Sequence, residues 1–296
     1  MKFVRFEDAG RPEIGVMTAE EGRIAYVDEV LGTNYHGSMT EFISTVRPEQ
    51  IALLRKFIEK PYLPQTVLER TVKITAPITR PIHDILCVGV NYRSHREEVS
   101  DGIDQSHENA PKSIYFSKRA VRILGPGESI ESRLDLDPEL DYEVELAVII
   151  GKRGKDIPRG EAENYIFGYS VFNDISSRTL QREHVQWLKG KSLDTYTSMG
   201  PAIVTRDELP LPLSVDIISR LNGEERQHSN TSLMLNDVPG IIADLSAGMT
   251  LEPGDIIATG TSAGVGMGMD PPGFMKTGDI ITCEIPEIGR LTNYII

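Results

Sequence analysis

Glu143 and Glu145, two glutamates one residue apart, are the side chains of this sequence best placed to do chemistry. The residues that alternate with them in the run 144–150 are apolar and mostly β-branched, which predicts a β-strand. Because side chains on a strand alternate between its faces, both carboxylates project from one face, about 7 Å apart along the strand. Like charges at that spacing repel each other unless a positive charge lies between them. The pattern therefore predicts a site for a divalent cation; the alternative is a solvated strand face that carries two ordinary acids.

A third acid, Asp174, ends a second apolar run, residues 166–174. An acid at the end of a strand, where the chain leaves the core, is well placed to reach a ligand. Three carboxylates with no histidine or cysteine nearby favour Mg²⁺ or Mn²⁺, with Ca²⁺ as a further alternative, over Zn²⁺. Three protein ligands leave about three octahedral positions for water or a chelating substrate. The three acids therefore predict a catalytic metal centre.

His95 and Glu98 lie in a segment that leaves a predicted strand at Gly89 and enters a predicted helix near Ser94. Three residues apart on a helix, the two side chains share a face and are within contact range. A carboxylate holds a histidine in one tautomer and makes it a better base, so the pair could activate a water molecule. The alternative is an exposed helical turn with incidental charges. The polar stretch that follows, residues 100–110, predicts a lid that orders over substrate.

The first part of the chain predicts short strands and one clear helix. Residues 14–17 and 24–27 flank a turn-prone segment and predict a hairpin. Residues 48–60 predict a helix, because a proline and an acid open it and apolar residues recur at helical spacing. A proline-rich stretch follows. We therefore predict a small N-terminal α+β domain at residues 1–75 and a catalytic domain at residues 76–296.

From residue 85 onward, short apolar runs are separated by glycine, proline and aspartate, which predicts many short strands. Helices are sparse, and residues 238–245 are one candidate. Strands and helices do not alternate regularly, which argues against a TIM barrel or a doubly wound sheet. The predicted fold class is α+β and mostly β, with a mixed, largely antiparallel β roll or sandwich as the catalytic domain.

Composition sets the outer limits on function. The chain has 296 residues, a net charge of −13 and 2 cysteines. The acidic balance disfavours nucleic-acid and anionic-membrane partners, because the long-range field repels phosphates. Cys87 and Cys283 each lie in an apolar run, which predicts buried free thiols in a reducing compartment. The first residues carry no signal-peptide core and no segment is long enough to span a bilayer, so we predict a cytoplasmic protein.

With these motifs in view, the chain resembles the fumarylacetoacetate hydrolase family, in the bacterial branch that has a small N-terminal domain. The resemblance extends from about residue 85 to residue 296. Five motifs in the family's order carry it: VGVNYRSH (88–95), DYEVEL (141–146), NDISSR (173–178), KSLDT (191–195) and PGDIIATGT (253–261). The order of the five is more specific than any one of them.

The resemblance implies a role for each candidate residue. The family's metal ligands correspond to Glu143, Glu145 and Asp174. Its water-activating pair corresponds to His95 and Glu98, with Glu97 as an alternative one position away. Its active-site lysine corresponds to Lys191, and its substrate-contacting residues correspond to Arg178, Gln181 and Thr261. Two departures lie beside these residues. Ser262 stands where many members have proline, and Ser177 where many have alanine. Both bear on substrate choice rather than on the metal site.

The resemblance also implies a reaction class. We expect a hydrolase that cleaves a carbon–carbon bond in a 2,4-dioxo acid of the acylpyruvate or fumarylpyruvate type through a metal-bound enolate, with His95 activating water and Lys191 and Thr261 stabilising charge. The alternative is an isomerase, tautomerase or decarboxylase of a 2-oxo acid such as oxaloacetate at the same site. A metal-dependent binding protein without activity is a third hypothesis; it predicts missing site residues, yet all are present. We expect a small-molecule 2-oxo acid as the binding partner and a homodimer as the assembly.

Overall fold

The computed structural model describes residues 1–60, 65–98 and 112–296. Within these ranges the strands form an 11-stranded sheet, a 5-stranded sheet and a 2-stranded pair. In chain order the strands are β1 (Lys2–Asp8), β2 (Arg11–Met17), β3 (Arg23–Tyr26), β4 (Thr66–Leu68), β5 (Lys73–Thr75), β6 (Ile85–Gly89), β7 (Ile114–Lys118), β8 (Ser129–Ile130), β9 (Leu140–Asp141), β10 (Val144–Ile150), β11 (Ile166–Asp174), β12 (Ser176–Ser177), β13 (Thr197–Thr205), β14 (Asp216–Leu221), β15 (Glu224–Asn230), β16 (Ile256–Ala258), β17 (Ile280–Ile285) and β18 (Gly289–Ile295).

The helices are short and few in the described ranges. The α-helices are α1 (Val27–Leu31), α2 (Met39–Thr45), α3 (Pro48–Ile58), α4 (Arg93–Glu98), α5 (Arg178–Glu183), α6 (Leu188–Lys191) and α7 (Val238–Ser246). Single 3₁₀ segments occur at Glu69–Thr71, Arg159–Tyr165, Thr231–Leu233 and Gly266–Gly268.

The large sheet runs through both the N-terminal segment and the later part of the chain. Its order is β4-β3-β2-β1-β13-β11-β10-β16-β6-β7, with β5 paired to β1. Its pairs are antiparallel except for β16 with β6. The smaller sheet has the order β15-β14-β17-β18-β8 and packs against β10, β11 and β13. The predicted mixed, mostly antiparallel fold is confirmed.

Strand β10 is buried on both faces, which explains its continuous apolar sequence. Leu146 and Val148 belong to the same apolar cluster as Ile281 and Leu291 of the smaller sheet. Ala147 lies on the opposite face, in a cluster that includes residues of α2 and α3. The smaller sheet covers one face of the large sheet, and the N-terminal helices help to cover the other.

The individual element predictions agree with the structure to within a few residues. The predicted hairpin is β2 and β3, which pair antiparallel, and the predicted helix at residues 48–60 is α3, which ends at Ile58. The helix predicted at residues 238–245 is α7. Strand β5 ends at Thr75, where we place the domain boundary, but it pairs with β1, which pairs with β13. The division into two domains stays a prediction.

Two further expectations concern the surface and the thiols. Cys87 and Cys283 are buried free thiols, as predicted. None of the helices in the described part of the chain is long and apolar enough to cross a membrane. The lid predicted at residues 100–110 lies outside the described residues.

Candidate active site

The three acids predicted as metal ligands converge at neighbouring ends of β10 and β11. Val144 pairs with Asn173 across the two strands. Glu143 therefore lies opposite Asp174, whose amide donates to the Glu143 carbonyl oxygen over 2.9 Å. Opposite residues of antiparallel strands share a face, and Glu145 lies two residues further along that face. One carboxylate oxygen from each acid lies within 4.8 Å of the others, and all three side chains are buried.

Two buried lysines contact this cluster. Lys191 Nζ donates to Glu143 Oε2 and to Asp174 Oδ2, both over 2.8 Å. Lys118 Nζ donates to the other oxygen of Asp174 over 2.7 Å and to the carbonyl oxygen of Ile175 over 2.9 Å. The sequence pointed to Lys191 through its motif but not to Lys118. A lysine that ends a short apolar strand carries no spacing that links it to an acid far along the chain.

Arg178 is held in place by acids on one side of the cavity. Its Nε donates to Asp141 Oδ2 over 2.9 Å, and its Nη1 lies 2.7 Å from Glu143 Oε1. Nη1 also donates to Gln181 Oε1 over 3.0 Å, so the two predicted substrate-contacting residues touch each other. Asp141 further accepts from the amides of Gly266 and Met267 over 2.7 and 3.0 Å. Asp141 belongs to a recognised motif, but no role for it followed from the sequence; its position two residues before Glu143 was the available signal.

The acids differ in how well their charges are balanced. Burial would raise the pKa of Glu143, but the charges of Lys191 and Arg178 outweigh it and lower that pKa to about 2. Burial, with the negative charges of Asp174 and Glu143, holds the pKa of Glu145 well above its ordinary value. The amide of Gly260 donates to Glu145 Oε2 over 2.7 Å, a weaker compensation than an ammonium group. The cluster therefore favours a further positive charge beside Glu145.

The donor set fits a divalent metal ion. Hard cations such as Mg²⁺ and Mn²⁺ prefer carboxylate oxygens, and three of them converge here within 4.8 Å. Among the described residues no histidine or cysteine joins the group, which disfavours Zn²⁺. Burial and the neighbouring carboxylates disfavour the charged form of Glu145, and a bound cation would offset that cost, which is a second reason for the fit. Glu143, Glu145 and Asp174 could together hold such an ion.

The predicted His95–Glu98 pair forms on α4. Nδ1 of His95 lies 3.1 Å from Glu98 Oε2, and the amide of Gly264 donates to Glu98 Oε1 over 2.7 Å. Glu97 is exposed, so the structure selects Glu98 as the partner of the histidine. A Cβ at Gly268 would overlap Glu98, so the 3₁₀ segment approaches this carboxylate closely because residue 268 is glycine. The pair leaves Nε2 as the histidine nitrogen available to the cavity.

Thr261 and the two serines that depart from the family pattern are buried beside these groups. The Thr261 hydroxyl donates to the carbonyl oxygen of Val144 over 2.8 Å and accepts from Gln227 Nε2 over 2.7 Å. The same amide group of Gln227 donates to the carbonyl oxygen of Ser262 over 2.9 Å. The hydroxyl oxygen of Ser177 is buried without a hydrogen-bond partner among the described residues. Thr261 therefore has its own proton engaged by the backbone.

A cavity of about 300 Å³ brings most of the predicted residues together, although Glu98 and Asp174 do not line it. Its polar lining residues are His95, Glu143, Glu145, Arg178, Gln181, Arg182, Lys191 and Thr261. Its remaining lining residues are Val88, Gly89, Val90, Phe116, Val185, Trp187 and Met267. The arrangement places a buried acid cluster, a carboxylate-held histidine and several cations around one small space, as acid–base chemistry on a small molecule requires.

Comparison with known proteins agrees with this geometry. The family model described as "Fumarylacetoacetate (FAA) hydrolase C-terminal" matches residues 84–296. Oxaloacetate tautomerase YisK of Bacillus subtilis is 44% identical over 224 residues, which cover 76% of this chain and 73% of the relative.

Two solved structures have the same fold over the full chain. A fumarylacetoacetate hydrolase from the psychrophile Exiguobacterium antarcticum aligns with a TM-score of 0.82 at 41% identity, covering 100% of this chain and 99% of that one. Maleylpyruvate hydrolase from Sphingobium sp. SYK-6, solved in complex with manganese(II) ion and pyruvate, aligns with a TM-score of 0.77 at 28% identity, with coverage of 100% and 99%. These similar proteins include both a tautomerase and hydrolases.

Proposed function

Because the chain belongs to the fumarylacetoacetate hydrolase family, we propose that it is a metal-dependent enzyme that interconverts the tautomers of a 2-oxo acid. The observation that carries the proposal is that Glu143 and Glu145, which cluster with Asp174, line one cavity with His95, which contacts Glu98. The 44% identical relative named as an oxaloacetate tautomerase supports this class over bond cleavage. Oxaloacetate is therefore the first substrate to test.

Glu143, Glu145 and Asp174 are the residues that would hold the metal, with Mg²⁺ or Mn²⁺ as the preferred ions and Ca²⁺ as an alternative. A divalent cation bound there supplies Lewis-acid polarisation of a carbonyl oxygen. Support for Mn²⁺ comes from the similar maleylpyruvate hydrolase structure, which contains manganese(II) and pyruvate.

His95 is the residue that moves the proton. Tautomerisation of a 2-oxo acid removes a proton from the carbon beside the ketone and delivers one to the ketone oxygen, so no co-reactant is consumed. Glu98 holds Nδ1 at 3.1 Å, which fixes the ring and favours protonation at Nδ1, leaving Nε2 as the base toward the cavity. After taking the proton, the imidazolium is stabilised by the Glu98 carboxylate.

The cationic side chains orient the substrate and stabilise negative charge that develops on it. Lys191 Nζ contacts Glu143 and Asp174, and Lys191 lines the cavity, where it can face a developing oxyanion. Arg178 and Gln181 touch each other at 3.0 Å and line the same cavity. Their donors are suited to the carboxylate of a 2-oxo acid.

The decisive experiment follows the enol-to-keto conversion of oxaloacetate by ultraviolet absorbance, with Mg²⁺ and separately with Mn²⁺. We expect catalysis by the native protein and a fall of about 10²–10⁴-fold in His95→Asn, the range for loss of a general base. Mn²⁺ binding should survive in that variant. Native protein that binds Mn²⁺ but leaves the tautomerisation rate at the buffer value would reject the proposal.

Hydrolysis of a 2,4-dioxo acid is a second candidate, because a carboxylate-held histidine can also deprotonate water. In that reaction water adds to the distal carbonyl, the adjacent carbon–carbon bond breaks, and pyruvate and a carboxylic acid are released. Product analysis with acetylpyruvate and fumarylpyruvate tests it. Equimolar pyruvate and acid would favour the hydrolase, and release of carbon dioxide from oxaloacetate would favour a decarboxylase.

A further inference from the structure

The turn between α5 and α6 contains a residue that packing within the fold does not explain. Val185 has a φ of +58° and a side chain that is 63% exposed. A β-branched residue is strained in the left-handed region, where a turn ordinarily uses glycine or asparagine. Because the side chain is exposed, it gains no free energy of burial that would offset this strain. The methyl groups of Val185 are therefore not explained by the stability of the described structure.

Val90 provides the contrast. It also lines the cavity and has a φ of +53°, but it is only 7% exposed. The next residue, Asn91, donates to the carbonyl oxygens of Thr259 and Asn236 over 2.8 and 2.9 Å. Burial and these hydrogen bonds hold Val90 in its strained conformation. Val185 lines the same cavity without comparable burial. Backbone strain of this kind often marks a functional site.

Two aromatic side chains line the cavity together with Val185 and Lys191. The Phe116 ring centroid lies 5.4 Å from Lys191 Nζ and 5.1 Å from the Trp187 ring, which meets it edge-on at 70°. A Cβ at Gly89 would lie 2.5 Å from Trp187 Cζ3, so the indole packs directly against the backbone at the end of β6. The two rings and the exposed side chain of Val185 line the same cavity as Lys191, and we call these three side chains the apolar wall.

The cations of the cavity are already engaged by protein acids. Among the described lining residues, Arg178 pairs with Asp141, Arg182 with Glu139 and Lys191 with Asp174. Arg178 is assigned to the carboxylate of the oxo-acid head, so a second carboxylate on the far side of a substrate would compete with Glu139 for Arg182 or with Asp174 for Lys191. An apolar group there would instead gain contact with Phe116, Trp187 and Val185.

We propose that Val185, together with Trp187 and Phe116, binds the apolar tail of the substrate, so that 2-oxo acids with an apolar group beyond the reacting carbons bind more tightly than oxaloacetate, which carries a second carboxylate there. The inference rests on the proposed function, because it assigns the oxo-acid head to the acid cluster. Val185 acts here as a specificity-determining residue.

The test measures binding by calorimetry, independently of which reaction follows. The probes are pyruvate, 2-oxobutanoate, 2-oxopentanoate and 2-oxohexanoate, each titrated into the Mn²⁺-loaded protein. We expect affinity to rise by about fourfold per added methylene, the gain for burying one such group. Glycine and asparagine both tolerate a positive φ. In Val185→Gly and in Val185→Asn, the gain in affinity should fall below about twofold per methylene for the two longest acids. Pyruvate affinity should stay unchanged.

Two control variants distinguish a loss of tail binding from the general effects of removing an exposed apolar side chain or of relieving a positive φ. Leu188→Ala removes an exposed apolar side chain, 46% accessible, from the same segment but outside the cavity, and should keep the native gain per methylene. Ala9→Gly relieves a positive φ of +49° far from the site. Val185→Gly and Ala9→Gly should both unfold at or above the unfolding temperature of the native protein. Only Val185→Gly should change the affinity for the longer acids.

The outcomes are distinguishable. Failure of pyruvate to bind the Mn²⁺-loaded native protein would remove the proposed function. Pyruvate binding with no gain along the series, or a gain that Val185→Gly and Val185→Asn both retain, would overturn the inference about the tail. Tighter binding of 2-oxoglutarate than of 2-oxohexanoate would overturn it as well, since that result requires a partner for a distal carboxylate.

Discussion

Lys118 and Asp174 form a fully buried ion pair in which Nζ lies 2.7 Å from Oδ1. Burial lowers the pKa of Lys118, and the charge of Asp174 opposes that shift. Because Lys191 occupies the other carboxylate oxygen at 2.8 Å, Asp174 is held from two sides by ammonium groups. This arrangement fixes the orientation of one predicted metal ligand before any ion binds.

Removal of Lys118 should destabilise the fold strongly. Lys118→Met leaves part of the Asp174 charge uncompensated in the interior, which typically costs about 3–5 kcal/mol of the free energy of unfolding. Chemical denaturation measures the change. The matched control is Lys73→Met, since Lys73 lies 3.9 Å from Glu128 and is 59% exposed. Its effect should be about 0–1 kcal/mol, and similar losses in both variants would contradict the account of Asp174.

Divalent ions should stabilise the native protein through the acid cluster. An ion that binds only the folded state adds about 2.7 kcal/mol when its concentration is 100 times its dissociation constant, so Mn²⁺ should raise Tm and EDTA should reverse the rise. Glu145→Gln removes one carboxylate of the cluster and should abolish most of the shift. Thermal unfolding with and without Mn²⁺ measures it. Glu97→Gln, a change at an exposed glutamate, should retain the shift; a full shift in Glu145→Gln would argue against the site.

Gly268→Ala should impair catalysis by displacing Glu98. The new Cβ would overlap the Glu98 carboxyl group, so that side chain must shift, which disturbs its contact with His95. We expect kcat to fall by about 10-fold or more, because the histidine loses the partner that orients it. Gly160→Ala is the matched control, since a Cβ there meets no atom within 4 Å. Equal kcat values for the two variants would show that the Glu98 position is unimportant.

Stability should depend on pH through His83, a residue outside the cavity. Its Nδ1 lies 2.7 Å from Asp255 Oδ1, and this hydrogen bond raises the pKa of His83 in the folded state. The stabilisation is therefore complete below the unfolded-state pKa of 6.5 and is lost as pH rises through the higher folded-state value. Because His83 is 57% exposed, the gain is only about 0–1 kcal/mol.

The measurement compares native protein with His83→Asn by chemical denaturation at pH 5.5 and pH 9. The difference in unfolding free energy should be larger at pH 5.5. In an Asp255→Asn background the same substitution should show a smaller pH dependence, because only the weaker contribution of Glu252, 4.0 Å from His83 Nε2, remains. If the difference in unfolding free energy between native protein and His83→Asn were larger at pH 9 than at pH 5.5, the protonated His83–Asp255 pair could not be its source.

The acid cluster could be predicted from the sequence because local patterns determine most of it. Strand alternation puts Glu143 and Glu145 on one face, and the register of two central strands then brings in Asp174. Helical spacing predicts the His95–Glu98 contact in the same way. In each case the chemistry depends on neighbours along one element or on the pairing of two long apolar strands.

Other features depend on long-range packing and conformation, which composition and periodicity do not encode. Lys118 reaches Asp174 only because β7 and β11 are brought together by the intervening strands of the sheet. Asp141 ties Arg178 to the 3₁₀ segment at Gly266–Gly268, which begins 125 residues after Asp141. The positive φ of Val185 has no signature in a valine. Pairing of β1 with β13, which joins the N-terminal strands to the large sheet, was likewise not predicted.

The proposed metal ligands and the specificity-determining residue lie on different kinds of backbone, and this difference matters for directed evolution. Glu145 and Asp174 project from largely buried strands in the middle of a sheet, whereas Val185 lies on a short, exposed turn that lines the cavity. Randomising residues 184–186 should therefore yield libraries in which most clones still fold and retain the acids. Such libraries offer a route to altered substrate range with the chemistry left in place.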